Sequence, residues 1–323
     1  MYKFYLLLLL FILFGHNTDA AKVPVIGGIS FPDAYYSPDP PPLADFKTLI
    51  VPLKKAGNLI IIEATVDSLE GNFVLDTGAP YLVLNETYFR NSPHLVMGES
   101  EGINGPSASF TIVVHNFNIL DLKYSRLTAD VTDLSAIENG RGIKILGLLG
   151  TRLLSKFIVT VDLAKGVLYI QKPDRDGNIP ETEKVYHNRS MVAPFRYLND
   201  IIYLKAAVNG TNRWFAFDTG AETNLLDYDR SKNLVKSMQV INRSKVTGVG
   251  GTGFEVIYAR FDQLVVGDHL FTQNHILLTD LEKMGKAYDH TVEGILGSDF
   301  FARGVFTINF VKKEFEMYIY NNQ

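Results

Sequence analysis

Phe73-Val74-Leu75-Asp76-Thr77-Gly78-Ala79 and Phe215-Ala216-Phe217-Asp218-Thr219-Gly220-Ala221 are two versions of one pattern. Each sets Asp-Thr-Gly-Ala at the end of an apolar run. Each is followed by a second apolar stretch, Tyr81 to Leu84 and Asn224 to Leu226. Chance gives two copies of a given tetrapeptide in a chain of 323 residues with odds on the order of one in a hundred thousand. Two like carboxylates at the ends of two equivalent strands are what a shared-proton, water-activating acid/base pair requires.

The motifs belong to a longer internal repeat. Pro52 lies 24 residues before Asp76, and Pro194 lies 24 before Asp218. Between them the registers match without a gap at an offset of 142, with Ile60 on Ile202, Ala64 on Ala206 and Val66 on Val208. A second block, Gly147-Leu148-Leu149-Gly150, corresponds to Gly294-Ile295-Leu296-Gly297. An apolar pair follows each, Leu153-Leu154 or Phe300-Phe301, and then an alternating strand ending in Tyr169-Ile170 or Tyr318-Ile319. The period is too long for a solenoid, so the chain reads as a pseudo-dimer of two lobes, 48–171 and 190–323. Residues 172–189, polar and holding Pro173, Gly177 and Pro180, connect them.

Alternating apolar runs make the chain mainly β. Leu49 to Leu53 and Leu59 to Val66 read as a hairpin across Lys54 to Asn58, and Met191 to Phe195 with Ile201 to Val208 as its counterpart. Asn209-Gly210 is a tight turn before the strand that carries Asp218. Short helices are expected at Leu134 to Asn139, at Asp280 to Lys286, and after Gly150 and Gly297.

Hydrophobic content of 46% and charged content of 20% describe a soluble globular chain. A net charge of −4 with scattered Lys and Arg gives no reason to expect a nucleic-acid partner. Lys3, the apolar run Tyr5 to Phe14, Gly15 and the exit Thr18-Asp19-Ala20 have the layout of a signal peptide over 1–20. Cleavage is expected after Ala20, with Ala21 as the alternative. The apolar run falls short of the roughly 20 residues that span a bilayer, so no stable membrane insertion is expected after cleavage. The chain has no cysteine, which excludes a lipid-modified cysteine, disulfides, thiolate metal sites and cysteine nucleophiles. Export to a bacterial periplasm or exterior fits that composition. Residues 21–47, with Pro38, Pro40, Pro41 and Pro42, form an extended Pro-rich lead.

The two Asp-Thr-Gly-Ala motifs, each with its Leu-Leu-Gly or Ile-Leu-Gly partner, resemble the aspartic peptidases, the clan of pepsins and retropepsins. The resemblance covers both repeats. It implies a bilobed acid-protease fold with pseudo-twofold symmetry, built from two retropepsin-like β-barrel lobes with a cleft between them. It implies that Asp76 and Asp218 are the catalytic pair, one from each lobe. Thr77 and Thr219 would make cross-lobe hydroxyl-to-backbone hydrogen bonds, and Gly78 and Gly220 would let backbone N–H groups approach the carboxylates. Two adjacent carboxylates share one proton, a situation for which aspartic proteases are the standard worked example.

Glycine-rich segments about 25 to 30 residues beyond each aspartate read as flaps. They are Gly102-Ile103-Asn104-Gly105 and Gly248-Val249-Gly250-Gly251 with Thr252-Gly253. One flap per lobe, short lobes, and Ala79 and Ala221 after the glycines are similar to retropepsins. Pro80 departs from the residue usual there, which bears on hydrogen bonding to substrate backbone on that side. The implied function is aspartic endopeptidase, acting as a monomer on peptide or protein substrates without a cofactor. Two other readings stay open: a non-catalytic peptide-binding module, and a protease confined to its own 21–47 lead.

Other signals point elsewhere and fail. Gly248-x-Gly250-x-x-Gly253 matches a dinucleotide fingerprint, but an alternating strand follows where a helix should. Asp174 to Asn178 resembles part of a calcium loop, yet Val185 stands where the bidentate acid belongs. The seven histidines form no His-Glu-x-x-His, so no metal site is expected. Trp214 reads as core.

Overall fold

The computed structural model describes residues 28–29, 40–102, 105–247, 253–287 and 290–320. It is mainly β, with two barrel lobes joined by a shared sheet. In the first lobe, Leu59–Val66 pairs with Leu69–Leu75, which pairs in parallel with Ile145–Leu149. Leu82–Asn85, Leu122–Thr132 and Gly105–Ile119 follow in that order. Gly105–Ile119 then returns to Leu59–Val66 through Thr65 opposite Asn118, closing a six-stranded barrel.

The second lobe repeats this path with Ile201–Val208, Thr211–Phe217, Gly294–Leu296, Leu225–Asp227, Asn274–Thr279 and Gly253–Phe261. Here the return is made by the separate strand Leu264–Val266, with Ala207 opposite Val265. Asn209 and Gly210, at φ of 44° and 82°, make the expected left-handed turn.

The lobes join through one antiparallel sheet, three strands from each. Its order is Met191–Leu198, Glu314–Ile319, Gly304–Asn309, Ile158–Asp162, Val167–Gln171 and Thr48–Pro52. At its centre Thr160 lies opposite Thr307, its own counterpart in the repeat, with their Oγ1 atoms 2.8 Å apart. The pseudo-twofold axis passes between them. Above this sheet Phe217 meets Phe306 and Phe315 at centroid distances of 5.4 and 4.9 Å, inside a core that runs through both lobes. Rings in contact at such separations add to the burial of their apolar area.

Three expectations need correction. Thr48–Pro52 does not fold back on Leu59–Val66 but joins the interlobe sheet against Val167–Gln171. The hairpin arm is Lys54–Ala56, read from sequence as turn. In the second lobe one strand does both jobs: Met191 to Pro194 pairs with the interlobe sheet, and Phe195 to Leu198 with Ile201–Val208. Two helices escaped the pattern, Glu86–Phe89 and Tyr228–Val235. The four expected helices form as Ser135–Arg141, Glu282–Ala287, Thr151–Leu154 and Ser298–Phe301.

In the linker Asp174 accepts from the N–H groups of Asp176 and Asn178, a polar turn. Two points of the lead are described. Gly28–Ile29 pairs with Ser100 and Glu101 on the strand His94–Gly102, and Leu43–Ala44 pairs with Leu122 and Lys123. Residues 1–20 lie outside the described residues. Among the described residues no helix is long and apolar enough to cross a membrane.

Candidate active site

Each aspartate ends a strand and enters a loop pinned by its Leu-Gly neighbour. Asp76 donates its N–H to Leu149 O and Asp218 to Leu296 O, both at 3.0 Å. The parallel pairing needed for this exists because Leu148-Leu149 and Ile295-Leu296 run beside the two motif strands.

The threonines tie the loops together across the axis. Thr77 Oγ1 donates to Phe217 O at 2.7 Å, and Thr219 Oγ1 donates to Leu75 O at 2.7 Å. Each hydroxyl also accepts the other threonine's N–H, at 2.9 and 3.0 Å. Four buried hydrogen bonds between two short loops leave the carboxyls little freedom to move apart.

Both carboxyl groups are fully buried. Gly78 N–H donates to Asp76 Oδ1 at 3.0 Å and Gly220 N–H to Asp218 Oδ1 at 2.8 Å. A Cβ on Gly78 would sit 2.5 Å from Asp218 Oδ2, so only glycine allows the loops to meet here. Neither Oδ2 has a hydrogen-bond partner among the described residues. Burial pushes Asp76 well above the ordinary carboxylate range, and the negative charge of Asp218 pushes it further. Burial also raises Asp218, to about 6, against the opposing pull of the Gly220 N–H. Two acids in contact with both values raised hold one proton between them over a wide pH range.

The surroundings are less symmetric. Arg141, at the end of Ser135–Arg141, forms an ion pair with Glu222, the residue directly after the second motif. Arg152 Nε pairs with Asp200 Oδ2 at 3.1 Å and its guanidinium lies 4.3 Å from the centre of the Tyr81 ring. Thr151 Oγ1 donates to Asp200 O. In both ion pairs the first lobe supplies the cation and the second the anion. Pro80 stands where the second lobe has Glu222, so that position offers the first lobe neither an N–H nor a charge.

Beneath each loop a polar residue ends the strand after the motif. Asn85 Oδ1 accepts from Thr87 N and Leu134 N, while Asp227 accepts from Arg230 N and Leu281 N. Neither these pegs nor the ion pairs stood out in the sequence. For Asn85 and Asp227 the signal existed, because they occupy matching places at the offset of 142 and each ends an apolar run.

Among the expected site residues, Asp76, Asp218, Thr77, Thr219, Gly78 and Gly220 come together at the axis. Gly102 and Gly105, expected in a flap, pair with each other where the hairpin of His94–Gly102 and Gly105–Ile119 ends. Ile103, Asn104, Gly248, Val249, Gly250 and Gly251 lie outside the described residues. The corresponding hairpin of the second lobe, Gln239–Thr247 with Gly253–Phe261, is described up to Thr247 opposite Gly253. Trp214 is half-buried, with the Arg196 guanidinium 4.0 Å from its ring centre. Among the described residues no group of three or more His, Cys, Asp or Glu could hold a metal ion.

The model of one family, Aspartyl protease, matches residues 62–153 and 204–300, one segment in each lobe. The chain belongs to this aspartyl protease family. No curated protein matches it.

Proposed function

We propose that the chain is a catalytically active endopeptidase in which Asp76 and Asp218 activate water between the lobes. The observation that supports this most is the meeting of two fully buried carboxyls on loops held by reciprocal threonine bonds. Burying two acids side by side costs stability, and structural support alone would not need it.

One aspartate is ionised and takes a proton from water as the water oxygen bonds to the scissile carbonyl carbon. The other gives its proton to the carbonyl oxygen. The tetrahedral diol then collapses: one of its hydroxyls gives its proton to the ionised aspartate as the C=O bond re-forms, the C–N bond breaks, and the leaving nitrogen takes the proton held by the other aspartate. The products are a carboxylic acid and an amine, and one proton remains on the pair. No covalent intermediate arises. Substrate would lie extended under the flap hairpins.

The proposal includes export of a monomer after removal of residues 1–20, resting on the charge and apolar order of that segment. N-terminal sequencing of the purified protein from cell fractions tests that part. The catalytic part is tested with a mixed peptide library read by mass spectrometry. Internal cleavage lost in Asp218→Asn is expected. A wild-type protein that binds peptides and leaves them whole favours the binding-module reading, and cuts confined to 21–47 favour self-processing.

A further inference from the structure

The sheet shared by the lobes has two faces. Strand alternation turns Val159, Phe306, Ile308, Phe315 and Met317 into the core. Val159, Phe306 and Ile308 there approach Thr77 and Thr219 of the dyad loops. Their neighbours in sequence point the other way. The registers set these in a grid of two rows, Thr160, Thr307 and Glu316, and beside them Ile158, Asn309 and Glu314. The connection between the lobes, 172–189, crosses this grid. Asn309 Nδ2 holds it by donating to Gly177 O at 2.8 Å, and Gln171 Nε2 by donating to Glu183 O at 2.7 Å. Between grid and connection lies a cavity of about 180 Å³, with Ile179, Tyr186 and Arg189 on the side of the connection. That is room for several waters or one small molecule. The core separates it from the dyad.

Several polar groups of the lining have bonding capacity left over. Thr160 and Thr307 are 3% and 8% exposed. Their hydroxyls carry two hydrogens, and the bond between them uses one. The other hydrogen has no acceptor among the described residues. Arg189 gives Nη1 to Glu316 Oε1 at 2.5 Å, while its Nη2 and Nε have no partner among the described residues. The carboxylate of Glu314 makes neither a hydrogen bond nor an ion pair among the described residues. Thr307 lies opposite Glu316, so Thr307 and Glu314 are diagonal neighbours on adjacent strands, about 7–8 Å apart. Donors and a lone acid are therefore within reach of one small molecule, beside aliphatic Ile158 and Ile179. Such a lining matches a ligand with a negative end, a positive end and an apolar part.

We propose that this cavity binds a free α-amino acid with an aliphatic side chain. Its carboxylate accepts the spare hydroxyl hydrogen of the threonine pair and the free N–H groups of Arg189. Its ammonium donates to Glu314, and its side chain lies against Ile158 and Ile179. Charge-assisted hydrogen bonds at both ends select the zwitterion over a residue inside a peptide, which has neither charge. The site stands whether or not the dyad cleaves peptides. Its floor comes from both lobes and its roof is the connection between them, so occupancy fastens the three together and opposes unfolding.

The protein is to be titrated calorimetrically with L-leucine, N-acetyl-L-leucine, which lacks the ammonium, and L-leucinamide, which lacks the carboxylate. Leucine should bind and raise the melting temperature, and each blocked form should bind about tenfold more weakly or worse. Glu314→Gln should bind leucine and N-acetyl-leucine equally. The double change Thr160→Val with Thr307→Val should weaken leucine by about tenfold while keeping the circular dichroism spectrum of wild type. If that variant does not fold, Glu314→Gln, altered at a half-buried position, decides alone. Asp218→Asn should bind leucine as wild type does, and loss of binding there would place leucine at the dyad and overturn the proposal. So would equal affinities for the three compounds, or an unchanged preference in Glu314→Gln. No binding of leucine would mean a cavity filled by water only, and would overturn it too.

Discussion

The two lobes agree most closely where their atoms meet at the axis and differ most away from it. Thr77 and Thr219 make the same bonds to within 0.1 Å, and Thr160 faces Thr307 in the interlobe sheet. Farther out, Pro80 replaces Glu222, Asp130 replaces Leu277, and one continuous strand, Gly105–Ile119, does the work of Gly253–Phe261 and Leu264–Val266. Atoms shared by both lobes cannot change on one side without leaving a partner unsatisfied on the other. Residues that contact only their own lobe carry no such constraint, and a single chain lets the halves diverge.

The comparison makes Asp76 and Asp218 interchangeable in need. Asp76→Asn and Asp218→Asn should each lower kcat/KM for peptide cleavage by on the order of 10³-fold or more, with similar far-UV spectra. A variant that keeps full activity would show the dyad to be unshared. Thr77→Val and Thr219→Val should cost similar amounts. Each strands a buried carbonyl, of Phe217 or of Leu75, and removes the acceptor for the other threonine's N–H. Chemical denaturation should show a loss of about 2–4 kcal/mol in each, and unequal losses would mean that the lobes are not equally braced. Replacing Glu222 by Gln breaks the asymmetric ion pair, which is mostly shielded from water. A smaller loss, about 1–2 kcal/mol, is expected there, with little change when Pro80 is replaced by Ala.

The dyad should also set the pH response. Its raised values mean that the folded state holds more protons than the unfolded chain between about pH 4 and Asp218's value of about 6. The dyad's stabilising contribution is therefore full below the ordinary carboxylate value and falls as pH rises through about 6. Asp218→Asn should flatten that fall and melt a few degrees higher than wild type at pH 8, by calorimetry. Activity needs one shared proton, so its acid limb should lie near the same pH, in the weakly acidic range. A hydroxyl in place of Ala79 and Ala221 would stabilise the anion, so Ala79→Ser with Ala221→Ser should move that limb to lower pH. An unmoved limb would show that groups other than these neighbours set it.

The repeat, the family and the meeting of Asp76 with Asp218 were legible in the sequence, because a duplicated motif with a duplicated partner segment leaves few ways to fold. Alternation of apolar residues likewise marks strands, since its period is a property of the backbone. What alternation does not encode is the partner of each strand. Thr48–Pro52 has the same pattern whether it pairs with Leu59–Val66 or with Val167–Gln171, and only packing of the two lobes on one core sends it to the second. Tyr228–Val235 reads as polar surface, and its helix is set by the Asp227 cap and by Ser231 and Leu234 buried against the barrel. The ion pair of Arg141 with Glu222 joins residues 81 positions apart, and Thr111 reaches Asp130 on the neighbouring strand. Such groupings depend on distances that the chain acquires only when the barrels close, so the sequence determined the chemistry at the axis and tertiary structure decided what surrounds it.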